Sequence, residues 1–286
     1  MKSSLLLLDK PEGITSFSAV SRARRILGIK KAGHTGTLDP MATGVLPVLL
    51  GGATRFAEFL PGHDKAYLAG LRLGLRTDTL DITGGVLEER SANVTRGELE
   101  AALAGFRGKI MQTPPMYSAK SQGGKRLYEL ARQGIEVERE ARAVEIYRLE
   151  LLDGTSICVE CSAGTYIRSL IDGLGNALGC GACMASLRRT KANGYGLERC
   201  VTLGQLERGD RSGLIPLDEA LSAYPAVHVS PAQAVRFRNG GALDLARLQM
   251  QNPAEGALHR VYGEDVFMGL GKIKEDELAV ARLLIP

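Results

Sequence analysis

Ala141-Arg-Ala-Val-Glu-Ile-Tyr-Arg-Leu-Glu-Leu-Leu-Asp-Gly-Thr-Ser-Ile-Cys-Val-Glu-Cys-Ser162 alternates apolar with polar residues on both sides of Asp153-Gly154. A period of two marks a strand with one buried face, and an Asp-Gly pair between two such runs marks a hairpin. The stretch therefore reads as paired strands near 141–152 and 155–162. The period then lengthens, and Ile167 to Leu178 reads as a helix. A hairpin feeding a helix, without the regular βαβα rhythm of a parallel sheet, is the order of an α+β fold.

Working outward, a helix is expected over Leu127 to Gln133, stopped by Gly134. Thr95-Arg-Gly-Glu98 is a capping box opening a helix to about Ala104. Tyr67, Ala69, Leu71, Leu73 and Leu75 alternate with Leu68, Gly70, Arg72, Gly74 and Arg76, which is strand periodicity. Val45 to Leu50 and Phe56 to Leu60 supply further core. Residues 4–8 read as a buried strand ending in the turn Asp9-Lys10-Pro11-Glu12-Gly13. Thr15 or Ser16 then caps a helix whose Ala19, Val20, Ala23, Ile26 and Leu27 share one face, with the arginines outside. Past Leu217 the pattern becomes Tyr224-Pro225, a short helix 231–238, Asn239-Gly240-Gly241, and strands around 258–262, 265–270 and 278–284. That is a β-rich module of about sixty residues, near the lower limit for independent folding. The division expected is 1–225 and 226–286.

At 44% apolar and 24% charged residues the chain has an ordinary soluble composition. The Leu5–Leu8 run is too short for a signal-peptide core and is closed by Asp9 and Lys10, so a cytoplasmic location is expected, with no membrane partner. A net charge of +4 singles out no partner by itself. Its distribution says more. Arg22, Arg24, Arg25, Lys30 and Lys31 cluster without an acid, and Arg188, Arg189 and Lys191 form a second group, whereas basic and acidic residues from 226 onward number seven each. Such a basic approach suits a polyanion, although a solvated helix face would read the same way. The five cysteines include Cys158-x2-Cys161 and Cys180-x2-Cys183, spaced like a zinc site. The first pair lies in an alternating run, where positions three apart point to opposite faces, and neither has the Pro/Gly turn of a thiolate knuckle. No metal is therefore expected.

Lys31-Ala-Gly-His-Thr-Gly-Thr-Leu-Asp-Pro40 carries the chemistry. Pro40 keeps Asp39 out of the α region, so the carboxylate sits on a stiff, extended corner. Composition alone equally allows a surface loop with an Asp-Pro turn. No Walker loop, dinucleotide fingerprint or HExxH motif is present, so NTPase, nicotinamide and zincin chemistry have no support. Covalent or general-base work by Asp39 is the natural alternative.

The motifs, taken together, resemble a family. Asp9-Lys10-Pro11-x-Gly13-x-Thr15-Ser16, Gly33-His34-x-Gly36-Thr37-Leu38-Asp39-Pro40 running on to Gly44-Val45-Leu46-Pro47, Lys65-x-Tyr67, Leu73-Gly74-x-x-Thr77-Asp78-Thr79-x-Asp81, Pro114-Pro115-x-Tyr117-Ser118-Ala119, Cys161-Ser162-x-Gly164-Thr165-Tyr166-Ile167-Arg168 and Leu187-Arg188-Arg189 occur in the order seen in the bacterial TruB family of tRNA pseudouridine synthases. The resemblance runs nearly end to end. It implies a mixed, largely antiparallel sheet flanked by helices and a small β-barrel-like carboxy-terminal PUA module for RNA. It implies isomerisation of the T-loop uridine 55 of tRNA, with the T arm as partner, no cofactor, and a monomer. By motif position Asp39 would be the nucleophile, attacking either the uracil ring or the ribose anomeric carbon, and the sequence leaves both open. Arg168 would pair with Asp39 and favour its ionised form. Tyr67 would stack on the extruded base and assist proton removal from C5, although an aromatic on a strand is otherwise most often core. His34 would fill the space the base vacates. Leu187 would lie near the base, and Asp81 would organise the surroundings of Tyr67 and Arg168, or simply form a turn. Lys10 and Pro11 would be architectural, beneath the nucleophile loop. One departure stands out: the family usually has a lysine two positions after Tyr-Ser-Ala, whereas here Lys120 follows Ala119 directly and Ser121 takes that place. Arg55 stands where lysine is common. The competing reading is a non-catalytic RNA-binding or tRNA-folding protein.

Overall fold

The computed structural model describes residues 3–118, 121–122, 124–131, 133–248, 250 and 254–285. Lys120 and Ala119 lie outside that range, so the displaced lysine receives no structural account.

The chain opens with β1 (Ser4–Lys10), α1 (Ser16–Ile26), β2 (Ala32–His34) and β3 (Thr43–Leu50). After a 3-10 segment at Gly51–Phe59 come β4 (Lys65–Leu73), β5 (Leu75–Thr77), β6 (Val86–Glu89), α2 (Arg96–Ala104) and β7 (Gly108–Gln112). A small hairpin, β8 (Ser121–Gln122) with β9 (Lys125–Arg126), precedes α3 (Leu127–Ala131). Then follow β10 (Arg142–Asp153), β11 (Ser156–Cys161), α4 (Ile167–Ala177), β12 (Ala182–Ala192), β13 (Tyr195–Gly196), α5 (Leu203–Glu207), β14 (Leu214–Pro216) and α6 (Leu217–Ala220). The remainder is β15 (Ala226–Val229), α7 (Pro231–Arg238), β16 (Leu243–Asp244), β17 (Leu258–Gly263), β18 (Val266–Lys274) and β19 (Glu277–Leu283).

The main sheet runs β14-β1-β3-β12-β4-β11-β10-β7, with β2 added to β3 and β13 to β12. Every pairing is antiparallel except β12 with β3, so the sheet is mixed and largely antiparallel, as the hairpin at Asp153-Gly154 implied. The apolar run at the start of the chain has a simple cause. Leu6 and Leu8 enter a large core beneath α1, α2 and α4, while Leu5 and Leu7 enter a second core beneath the 3-10 segment and α6. A strand covered on both faces needs no polar alternation. The carboxy-terminal strands form a separate sheet, β15-β17-β18-β19-β16, and its Leu270 joins the second core.

Three expectations are corrected. The alternating run from Tyr67 to Arg76 is not one strand: it breaks at Gly74, whose φ is +79° and where a Cβ would lie 2.3 Å from the Arg90 carbonyl oxygen. Only glycine tolerates that approach, and β5 leaves to pair with β6. The strand expected to end near 270 continues to Lys274, because Ile273 finds a buried partner in Leu278 across the hairpin to β19. The helix expected to reach Gln133 ends at Ala131. The amide N–H of Ile135 bonds the Leu130 carbonyl there, closing the turn around Gly134. Thr15, rather than Ser16, caps α1 through the Ser18 amide at 3.0 Å.

Candidate active site

Asp39 lies in the 35–42 loop between β2 and β3, and each end of that loop is tied down. Ser16, spared from capping, is buried. Its hydroxyl donates to the Leu38 carbonyl at 2.9 Å and accepts from the Leu38 amide at 2.8 Å. The Leu38 side chain is buried in the main core, so the residue before Asp39 cannot turn. The amide of Gly13 donates to the Pro40 carbonyl at 2.8 Å. Lys10, fully buried, donates from Nζ to the carbonyls of Pro11, Ile14 and Pro40 at 2.9, 2.7 and 3.2 Å. Burial lowers its pKa to about 8 against the pull of Asp39.

Arg168 reaches Asp39 from the first turn of α4. Its Nε is 2.9 Å from Oδ2 and its Nη2 donates to Oδ1 at 3.1 Å, a bidentate fork. Nη1 donates to the Thr79 carbonyl at 2.9 Å, and Nη2 also to the Tyr117 carbonyl at 2.8 Å. Asp81 Oδ2 lies 3.8 Å from Nη1, while its Oδ1 accepts from the Thr79 and Thr83 hydroxyls and the Thr83 amide. Asp81 is thus both a turn former and a second anion beside Arg168. Burial raises the Asp39 pKa, Arg168 opposes the rise, and the Asp81 charge adds to it. Arg168 thus pairs with Asp39 and favours its ionised form, while burial is the larger influence and acts in the opposite direction. The geometry is still that of the carboxylate, since both oxygens accept from one guanidinium.

Tyr67 is buried on β4, opposite Arg189 of β12. Burial raises its pKa, and the positive charge of nearby Arg189 opposes this. Leu187 pairs with Ala69 one step along the same two strands and shares the main core with Tyr67. His34 stands at the far end of the loop, opposite Val48. The structure therefore joins Asp39, Arg168 and Asp81 directly, sets Tyr67 and Leu187 on neighbouring strands, and places His34 at the loop's entrance.

Sequence reasoning missed two kinds of contributor. The Thr79 and Tyr117 carbonyls are backbone groups, which no residue type announces. Arg189 was grouped with Arg188 as surface charge, yet it is 1% exposed, with Nε donating to the Val45 carbonyl at 2.7 Å. Arg188 is likewise committed, to both oxygens of Asp9 at 3.2 and 2.8 Å. The first basic group fares differently: Arg24, Arg25, Lys30 and Lys31 are exposed on α1 and the turn that leads into β2. The cysteines are free thiols, and among the described residues no three His, Cys, Asp or Glu side chains gather as a metal set. Nor, among them, is any helix long and apolar enough to cross a membrane.

A carboxylate held at two oxygens by one guanidinium has the geometry of a covalent nucleophile or general base. Comparison with known proteins gives the chemistry a class. Residues 24–167 match the N-terminal domain of the TruB family pseudouridylate synthases, 168–222 the tRNA pseudouridylate synthase B C-terminal domain, and 225–284 the C-terminal region of pseudouridine synthase II TruB. The tRNA pseudouridine synthase B of Yersinia enterocolitica is 44% identical over 301 residues, spanning 98% of this chain and 90% of that protein. That of Azoarcus sp. is 46% identical over 288 residues, spanning 98% and 94%. Among solved structures, an archaeal box H/ACA Nop10-Cbf5 complex superposes at a TM-score of 0.72 with 28% identity, over 100% of this chain and 87% of that one. An H/ACA RNP bound to a substrate RNA containing 2'-deoxyuridine gives 0.71 and 26%, over 99% and 85%. The fold and site are those of a pseudouridine synthase, an isomerase. The chain belongs to the TruB family.

Proposed function

We propose that the enzyme converts uridine 55 in the T loop of tRNA to pseudouridine, with Asp39 as nucleophile. The observation that carries this reading is the two-point grip of Arg168 on Asp39, which aims a half-buried carboxylate from a braced loop. The curated relatives are named for action on tRNA, and the helix whose Ser16 braces the loop carries exposed basic residues.

The uracil leaves its stack at a cost of about a few kcal/mol. His34 fills the vacated space, Leu187 lines the base pocket and Tyr67 stacks on the ring. Asp39 attacks either the ring or the anomeric carbon, and the C–N glycosidic bond is exchanged for a C–C bond within one nucleotide. Arg168 keeps Asp39 charged for attack and stabilises it again as leaving group, while Asp81 steadies Arg168. Tyr67 assists removal of the C5 proton. Residues 1–225 act as the catalytic domain and 226–286 as a PUA-like RNA-binding domain, in a cytoplasmic monomer.

Asp39→Asn is the decisive variant. On an unmodified tRNA transcript it is expected to lower product formation by more than about 10³-fold with RNA affinity within about threefold of wild type. Substantial turnover, read as tritium released from C5-labelled uridine, would remove Asp39 from the mechanism.

A further inference from the structure

We propose that Phe17 is a stacking platform for an unpaired base of the substrate RNA, carried by α1 at a fixed place beside the nucleophile loop. The proposal rests on the reading that the enzyme acts on the T arm of tRNA.

Phe17 is 79% exposed, more than any other large apolar side chain among the described residues. The fold makes no use of the ring. α1 packs through Ser16, Ala19, Val20 and Ala23, all buried, and Phe17 stands off that face. A lone apolar side chain in water is ordinary on a protein surface. What distinguishes Phe17 is the surface around it and the helix that carries it.

That surface is cationic. α1 contains no acid and ends in exposed Arg24 and Arg25, followed by exposed Lys30 and Lys31. Arg22 is paired with Glu207 at 3.7 Å, whereas among the described residues the other four have no carboxylate partner. Arg24 follows Phe17 by two helical turns, so both leave the same side of α1 about 10 Å apart. Its Nη1 donates to the Lys30 carbonyl at 2.8 Å, which steadies the guanidinium and leaves donors over for a phosphate. An exposed ring in line with unpaired cations is the chemistry of a single-stranded nucleic-acid site: the ring takes the face of a base and the cations take phosphates. An apolar protein face docked on the same ring would have to desolvate those charges.

The helix gives the platform its geometry. The Ser16 hydroxyl holds both backbone groups of Leu38, at 2.9 and 2.8 Å, and the Gly13 amide holds the Pro40 carbonyl at 2.8 Å. The start of α1 and the nucleophile loop therefore form one body, with Phe17 next to Ser16 and Asp39 next to Leu38. A base stacked on the ring is held at a set offset from the carboxylate, which places the nucleotides around the extruded uridine.

The test measures the affinity of a T-arm transcript for wild type, Phe17→Ala, Phe17→Leu and Phe17→Tyr across a salt series. Alanine and leucine are expected to weaken binding about tenfold and tyrosine less than about threefold, because stacking needs a π-face. The slope of log affinity against log salt is expected to stay at the wild-type value in all three, whereas Arg24→Gln is expected to flatten it by about 0.7 to 0.9. Abasic substitution at each loop nucleotide in turn is expected to reveal one position that weakens wild type but not Phe17→Ala. Full affinity in Phe17→Ala or in Phe17→Leu overturns the platform, as do equal abasic losses in wild type and Phe17→Ala at every position. A change in the sedimentation of the free protein on Phe17→Ala, with RNA affinity unaltered, assigns the ring to a second copy of the chain and likewise overturns it. Wild type that neither binds nor converts the transcript overturns the substrate reading itself, whereas conversion with Phe17→Ala binding normally removes this inference alone.

Discussion

The pKa shifts of two groups, half-buried Asp39 and buried Lys10, make the site's pH response specific. Burial holds Asp39 above its ordinary value of 3.8, and the proposed attack by Asp39 requires the ionised form, so turnover is expected to rise with pH along an acid limb centred above 3.8. Arg168→Lys withdraws the fork that pulls this value down. Its limb is expected to lie at higher pH than wild type, with a maximal rate lower by about 10²-fold, measured as a pH profile of single-turnover rates. The linkage has a matching sign: the folded protein holds the Asp39 proton more tightly than the unfolded chain. This group's contribution to stability therefore falls as pH rises from the unfolded value through the folded one. Lys10, held at about 8, behaves differently. Above that pH its neutral amine grips the loop carbonyls more weakly, so turnover is expected to decline along an alkaline limb near 8. Between 8 and 10.5 the folded state has already released a proton that the unfolded chain retains, so the Lys10 contribution to stability rises while activity falls. Urea midpoints and rates measured across that interval would show whether the two move in opposite directions.

At the level of elements, α1 serves the loop through a single hydroxyl. Ser16→Ala removes two buried hydrogen bonds to Leu38 while leaving the Thr15 cap intact, and is expected to cost about 1–3 kcal/mol together with a loss of rate. Thr95→Ala, which opens the capping box of α2, is expected to cost about 1 kcal/mol with the rate unchanged. Denaturation midpoints and turnover measured on both separate a brace from a cap. The contrast also explains what the chain reveals before folding. The capping box and the Asp153-Gly154 hairpin are local, and their residues name the structure directly. Gly74 looked like one more member of an alternating run, because the Arg90 carbonyl that forbids a side chain there comes from the far side of a hairpin. Ser16 looked interchangeable with Thr15 for the same reason, its true partner lying 22 residues on. Asp39 and Arg168 were legible through motif context, whereas Arg189 was hidden by its charge, which composition assigns to the surface.

At the scale of the molecule, the second core fastens the carboxy-terminal sheet to the back of β1 and β3. Leu270 contributes to it from β18, so Leu270→Ala is expected to cost about 2–5 kcal/mol and to lower the melting temperature of the catalytic sheet as well. Calorimetry that showed only the carboxy-terminal sheet melting earlier would contradict this. Charge acts at the same scale. The arginines and lysines of α1 and the turn after it are exposed, whereas in the second basic group Arg188 and Arg189 are spent internally on Asp9 and on the carbonyls of the Asp39 loop and β3, leaving only Lys191 exposed.

The position of β12 carries a consequence for the chain's biogenesis. Residues 182–192 form the strand between β3 and β4, so the two parts of the sheet that emerge first from a ribosome flank a slot whose occupant has not yet been synthesised. Translation must proceed past that segment before the parallel seam closes, and a polypeptide arrested upstream would display two unsatisfied strand edges. Such a truncated intermediate is a natural client for chaperones, and it lacks the arginine whose side chain bonds the carbonyls at both ends of the Asp39 turn.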